Sequence, residues 1–405
     1  MPRDTLPGTT PGTNTPAQIS ALIAGSVTLS LALGTRATFG LFLVPLADMG
    51  VPLATVAFAI AVHNLTWGIG QPVAGAWADR HGATRAQVLG GLLYAAGFAL
   101  PALLPATWSV MLGIGVLTGF GTAFIGWGVA LAGVARAFPV ERRSSATGLA
   151  SAGGSVGQML LLPVAAAAIA WGGAPAGLLA MAAFVLLAVP LGRPLDRAAL
   201  EKPAPRRSIS AVRSALGDRT FVLVSLGFFT CGFQLAFLAT HLPGYLSLCG
   251  MPAATGAWAL MLVGGANILG SYLCGRAGQR LPPHLCLAAI YIIRAVAILA
   301  FYLAPKTGLT TAAFAIVMGL LWLGTVPLTT GVIARRFGVG DIGALFGVCF
   351  ISHQIGGFLG AWLGGIAFAE TGTYDMAFLA TAASGLVAAA FNIPIRLPRT
   401  AMAAS

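Results

Sequence analysis

Apolar runs of 18 to 28 residues alternate with short polar gaps from Ile19 to Arg396. About 20 helical residues cross the roughly 30 Å hydrocarbon core of a bilayer, so each run is long enough to span it. The pattern predicts helices at about 19–46, 53–78, 86–105, 108–135, 145–171, 175–192, 221–247, 254–278, 285–304, 309–334, 342–369 and 376–395, numbered spans 1 to 12. The fold class expected is an all-α membrane protein of twelve transmembrane helices in two pseudo-symmetric six-helix halves.

The polar gaps are of two kinds. Arg80 and Arg85; Arg136, Arg142 and Arg143; Arg193 through Arg219; Arg276 and Arg280; Arg335 and Arg336; and Arg396 and Arg399 fall in every second gap. The gaps between them hold only Asp48, Lys306, Glu370 and Asp375. Cytoplasmic loops retain Lys and Arg, so the basic gaps and both termini are expected on the cytoplasmic side of a plasma membrane, the bacterial inner membrane.

Five domains follow: a disordered cytoplasmic tail at 1–18, a six-helix half at 19–192, a cytoplasmic linker at 193–220 with Pro194, Pro203 and Pro205, a second half at 221–396, and a tail at 397–405. Residues 1–18 lack the basic start, apolar core and cleavage site of a secretory signal.

At 58% hydrophobic and 8% charged residues, the chain cannot cover a soluble surface, which needs about a quarter of its residues charged. Its net charge of +12 is a topology signal; the basic stripe interleaved with aromatics of a nucleic-acid binder is missing. The five cysteines follow no ligand spacing and read as small buried side chains, so neither metal nor cofactor is expected.

The halves echo each other. Ala135-Arg136-x-Phe138-x-Val140, Gly148 and Gly157 recur at an offset of 199 as Ala334-Arg335-x-Phe337-x-Val339, Gly347 and Gly356, and Gly75 and Arg80 recur at 200 as Gly275 and Arg280. Duplicated halves of this kind form secondary transporters with a substrate site near the midplane.

Between spans 2 and 3, Gly75-Ala-Trp-Ala-Asp79-Arg80-His-Gly82-Ala-Thr-Arg85 resembles the G-x-x-x-D-R-x-G-x-R loop signature of the major facilitator superfamily. With twelve spans and a degenerate second copy, the resemblance covers nearly the whole chain. It implies a conformational latch of Gly75, Asp79, Arg80, Gly82, Arg85 and Arg136. In that latch Asp79 pairs with Arg136 and meets the start of span 11 near Asp341 to Ala344; Gln279 stands where the second copy would have its Asp.

Gly34-Thr-Arg36-x-Thr-Phe39-Gly40 and Gly232-Phe-Gln234…Thr240-His241-Leu-Pro243 are similar to the bacterial monocarboxylate and oxalate/formate exchanger branch. That branch carries a cation on span 8, where this chain has Ser271, one turn after Asn267. The nearest membrane-embedded cation is Arg294 on span 9.

Ionisable groups inside a membrane are functional candidates because each costs about 2.5 to 3.5 kcal/mol to insert. Away from their ends the spans hold Arg36 and Arg294 and no carboxylate, so an outside anion is expected to complete the site. Planar guanidinium suits a carboxylate, although either arginine can instead bond helix carbonyls.

His241, His353 and His63 also lie in spans and can bond substrate or carry protons. His241 shares a stripe with Phe237 and Gln234, and His353 with Phe350 and Phe346. Helix-packing hydrogen bonds are the alternative for all three. Asn267 reads as a ligand or as glue between helices, and Trp127 and Trp322 as packing. The substrate site expected is therefore Arg36, His241, Asn267, Ser271, Arg294, Phe350 and His353.

H-E-x-x-H and P-loop patterns are absent, and no enzymatic activity is expected. The expectation is a monomeric carrier of a small organic anion, a carboxylate, by alternating access with proton symport or anion exchange. The alternatives are an efflux carrier for a hydrophobic or drug-like compound and a non-transporting receptor or scaffold.

Overall fold

The computed structural model describes residues 14–199, 209–338 and 342–397, and every regular element among them is helical. Eleven helices are long and apolar enough to cross a membrane. The fifth, Ala146–Arg197, has 52 residues. At 1.5 Å per residue it would reach more than twice the bilayer thickness as one rod.

It is not one rod. Gly172 and Gly173 leave helical geometry, Gly173 at φ +69°, and a Cβ on Gly177 would lie 2.6 Å from Ile169 Cγ1. The chain therefore reverses at this glycine pair, giving spans 5 and 6 and twelve crossings among the described residues.

The observed spans 1 to 4 are Pro16–Asp48, Leu53–His81, Ala83–Leu103 and Thr107–Ala137. Spans 7 to 12 are Arg219–Leu248, Ala254–Arg280, Pro283–Leu303, Gly308–Phe337, Ile342–Thr371 and Asp375–Asn392. Span 1 begins at Pro16, inside the expected tail, because Thr15 and Gln18 form a reciprocal capping box. Within the expected linker, Ile209–Leu216 is helical. Residues 1–13, 200–208, 339–341 and 398–405, which take in parts of the expected tails and linker, Val339 of the repeat and Asp341 of the expected latch, lie outside the described residues.

The duplication is visible in packing. A Cβ on Gly157 would meet Ser30 O of span 1 at 1.9 Å, and one on Gly356 would meet Phe229 O of span 7 at 1.9 Å. Both pairs are related by 199 residues, and in both only glycine lets the backbones approach so closely. Large apolar side chains such as Ile69, Val73, Leu269, Val296 and Leu386 stay exposed, as a lipid-facing surface requires.

The halves close on each other at the end of the bundle away from the Arg80 loop. There a Cβ on Gly40 would lie 2.1 Å from Ala239 O, and one on Gly365 would lie 2.6 Å from Ala57 Cβ. Phe58 packs on Trp362 at 5.5 Å between ring centres. At the basic end, Gly75, Gly148, Gly275 and Gly347 have nothing within 4 Å of a built Cβ. Among the described residues the halves are thus packed together at one end, while these four glycines stand unpacked at the basic end.

Spans 4 and 10 are both interrupted. Gly126 leaves helical geometry in span 4, and residues 322–324 separate two helical segments of span 10. The offset of 199 carries Gly126 onto Thr325, so the interruptions are counterparts.

Candidate substrate cavity

A cavity lies between the halves, with about 850 Å³ of empty space counting the part continuous with solvent. Span 1 contributes Leu33 and Arg36, span 2 Asn64 and Trp67, span 4 Trp127, and span 5 Ser155 and Gln158. The second half adds Phe228, Cys231, Leu260, Trp322, Phe350 and His353, among others.

Among the described residues of this wall, Arg36 is the only Arg or Lys, and none is a carboxylate. Its Nη2 donates to Asn64 Oδ1 at 2.8 Å, and its guanidinium lies over the Trp67 ring at 5.1 Å. The Asn64 amide is oriented by its own helix: Nδ2 donates to Ile60 O at 3.0 Å, which leaves Oδ1 to accept. Arg36 Nε is buried without a partner. The other such side-chain atom among the described wall residues is Trp127 Nε1. Both are donors.

Phe350 and His353, two other expected residues, also line the cavity. Gln354 Nε2 donates to Asn64 O at 3.1 Å, so Gln354 Oε1 accepts from His353 Nδ1 at 2.9 Å. Nδ1 therefore carries the hydrogen, and a neutral His353 keeps a lone pair on Nε2. A chain of polar contacts thus runs Arg36–Asn64–Gln354–His353 from one half to the other.

The remaining expected residues sit behind the wall. Arg294 is wholly buried and donates to the carbonyls of Leu321 and of Trp322, the latter at 2.7 Å, with Cys231 Sγ 3.4 Å away. Those carbonyls are freed by the interruption of span 10, and buried backbone oxygens need partners. Asn267 Oδ1 accepts from Leu323 N at 2.9 Å and from Ser271 Oγ at 3.1 Å, while its Nδ2 donates to Ser155 Oγ at 2.7 Å. Arg294, Asn267 and Ser271 thus fix the broken segment that presents Trp322.

Ser155 is also the centre of a G-x-S-x-G run, Gly153-Gly154-Ser155-Val156-Gly157. In a hydrolase that spelling marks a sharp strand-to-helix turn that exposes the serine. Here the run lies inside the helix of span 5, where Gly157 serves the close approach to span 1. The motif is helix packing.

His241 is wholly buried; Nε2 donates to Ala361 O at 2.8 Å and Nδ1 faces the Tyr374 hydroxyl at 3.3 Å. It ties span 7 to span 11 at the end where the halves are packed together. His63 Nδ1 bonds Thr118 Oγ1 at 2.8 Å, away from the cavity.

At the basic end, Asp79 pairs with Arg136 at 3.2 Å, both in the first half, while Arg80 and Arg85 are exposed. Gly82 takes φ +88°, and the next two amides, Ala83 N and Thr84 N, donate to Asp196 at 2.7 and 2.9 Å. In the second half Arg335 donates to Gly278 O at 2.8 Å, a backbone oxygen in place of a carboxylate.

Sequence reasoning passed over Asn64, Gln354, Ser155 and Gln158 and assigned Trp127 and Trp322 to packing. Asn64 had a readable signal, a strongly polar amide in mid-span 2.

Two pseudo-symmetric six-helix halves with a cavity between them are the architecture of a secondary carrier. The chain belongs to the Major Facilitator Superfamily, whose model matches residues 25–361. It is 27% identical over 368 residues to the uncharacterized MFS-type transporter YcxA of Bacillus subtilis, covering 84% of this chain and 85% of that protein. It is 27% identical over 376 residues to monocarboxylate transporter 13 of Bos taurus (91% and 86% covered). Against monocarboxylate transporter 11 of Homo sapiens the identity is 29% over 359 residues (85% and 74%).

Proposed function

We propose that this secondary transporter carries a small organic anion, a carboxylate, with Arg36 as its anchor. The observation that carries the reading is the set of unsatisfied polar atoms on the cavity wall: Arg36 Nε and Trp127 Nε1, both donors. A buried charge without a counter-ion is costly, so a ligand that brings acceptors and negative charge is the complement. A lipophilic cation finds no carboxylate among the described residues of this wall. The similarity to two monocarboxylate transporters supports the same substrate class.

Retention of positive charge on the cytoplasmic side makes the basic end the inward one. One chain encloses the whole cavity, which supports a monomeric working unit. We assign proton coupling to His353, the histidine on the cavity wall, with anion exchange as the mode that needs no net proton movement.

Competition in proteoliposomes tests this reading. Uptake of a labelled carboxylate should be blocked by other organic acids and untouched by lipophilic cations of similar size. Competition by the cations alone would make this an efflux carrier of another class, and no flux of any solute would favour a receptor or scaffold.

A further inference from the structure

The chemistry of the cavity wall narrows the substrate beyond its charge. We infer that the anion carries one negative charge on a flat aromatic body, an aryl or arylalkyl monocarboxylate; the inference rests on the anion-carrier reading above.

The charge count comes from Arg36, the single Arg or Lys among the described wall residues. A dianion would leave its second carboxylate desolvated and without a guanidinium or ammonium partner, a penalty a monoanion avoids.

The aromatic body comes from a run of rings that begins at that cation. The Arg36 guanidinium lies 5.1 Å from the Trp67 ring, and Trp67 meets Phe350 edge-on at 5.2 Å. Phe350 in turn lies 6.2 Å from Trp127 and stacks on His353 at 5.9 Å with 5° between planes. These separations are those at which aromatic pairs attract beyond simple burial. The rings belong to three helices, spans 2, 4 and 11, and to both halves, so they form one continuous wall leading away from the guanidinium.

Trp322 adds a ring from span 10, and its placement is built rather than incidental. Arg294 holds its carbonyl at 2.7 Å, and Asn267 holds the next amide at 2.9 Å. A wholly buried arginine is a costly way to place an indole whose only role is to fill space. Trp127 offers its Nε1 donor, buried and without a partner, to a carboxylate oxygen or a ring substituent.

The test is binding by purified protein of indole-3-acetate, phenylacetate, cyclohexylacetate, acetate and phenylmalonate, with phenylacetamide as the uncharged control. Indole-3-acetate and phenylacetate should bind at least about tenfold tighter than acetate. They should bind about three- to tenfold tighter than cyclohexylacetate, and phenylmalonate should bind more weakly than phenylacetate. Trp127→Leu and Trp322→Leu should shrink the phenylacetate to cyclohexylacetate ratio. Because that ratio is read within one sample, a general loss of folded protein cancels, and Trp127→Phe provides a milder second variant.

Equal binding of phenylacetate and cyclohexylacetate, or tighter binding of phenylmalonate, overturns this inference. If Arg36→Gln still abolishes acid binding in that case, the anion-carrier reading stands. Phenylacetamide binding as tightly as phenylacetate, or no acid binding at all, overturns both.

Discussion

Arg36 of span 1 and Asn64 of span 2 are joined by a 2.8 Å hydrogen bond in which a neutral amide occupies the place where a counter-ion would neutralise the guanidinium. The pair positions the cation without consuming its charge. Asn64→Asp should therefore supply the absent counter-ion from within. The variant is expected to keep or raise its thermal stability while losing most of its affinity for organic acids. A variant that binds acids as tightly as the parent would mean the guanidinium charge is not what the ligand meets.

Proton coupling should follow His353 and not His241. His241 has both nitrogens engaged within the second half, whereas His353 stands on the cavity wall and is linked to Arg36 through Gln354 and Asn64. His353→Gln should abolish accumulation driven by a pH gradient while preserving exchange of substrate for substrate. His241→Gln should lower stability and leave coupling intact. Uphill accumulation that survives in His353→Gln would place the proton on the substrate or make the protein an exchanger.

Arg294 should behave as a structural cation. Removing it strands the carbonyls of Leu321 and Trp322 inside the bilayer, at about 1 to 3 kcal/mol each. Arg294→Gln is expected to lower the melting temperature measurably, and the aromatic acids should lose more affinity than acetate, since Trp322 is what the arginine positions. Equal losses for all acids would assign Arg294 to the charge of the site itself.

The Asp79–Arg136 pair lies at the basic end of the bundle. The latch reading adds a contact of Asp79 with the start of span 11 when that end closes; on that reading Asp79→Asn weakens the closed state alone and should raise the fraction of molecules open at the basic end, measured by labelling single cysteines from each side of the membrane. Labelling that does not change on either side would reduce the loop to a topological signal.

Asp218 caps span 7 and pairs with Arg336 at 2.6 Å. Partial burial pushes its carboxyl up, but the Arg336 guanidinium and the Phe221 and Thr220 amides outweigh this, and its pKa lies below the ordinary carboxylate value. A depressed pKa contributes stability that is present above the unfolded carboxylate value and lost as pH falls through the folded one. The melting temperature of Asp218→Asn should therefore sit slightly below wild type at neutral pH and converge with it in acid. A gap that persists in acid would mean the contribution is not the carboxylate's charge.

Spans and halves were legible because helix length in a bilayer and charge retention in loops are properties of the chain itself. Arg36 was legible for the same reason, as a charge deep in an apolar run. What a side chain meets depends on how helices are rotated against one another, which no linear pattern encodes. His241 and His353 each sit on an aromatic stripe in sequence, yet one stripe turns into the second half and the other onto the cavity. Arg294 reads in sequence as either a ligand or a cation bonded to helix carbonyls, and the two carbonyls that it bonds come from the interruption of span 10, which no linear pattern marks. Asn64 and Gln354 are uncharged, so burying them costs less than burying an arginine, and these amides that connect the halves went unread.

Whether Arg36 holds an organic anion is measured most directly by the binding of phenylacetate to Arg36→Gln. Loss of one partner of a desolvated charge pair costs about 2 to 5 kcal/mol, so affinity should fall by at least about 30-fold in a protein that still folds and inserts. Arg36→Lys should recover only part of it, because ammonium lacks the planar fork. Wild-type affinity in folded Arg36→Gln would contradict the account and remove Arg36 from the site.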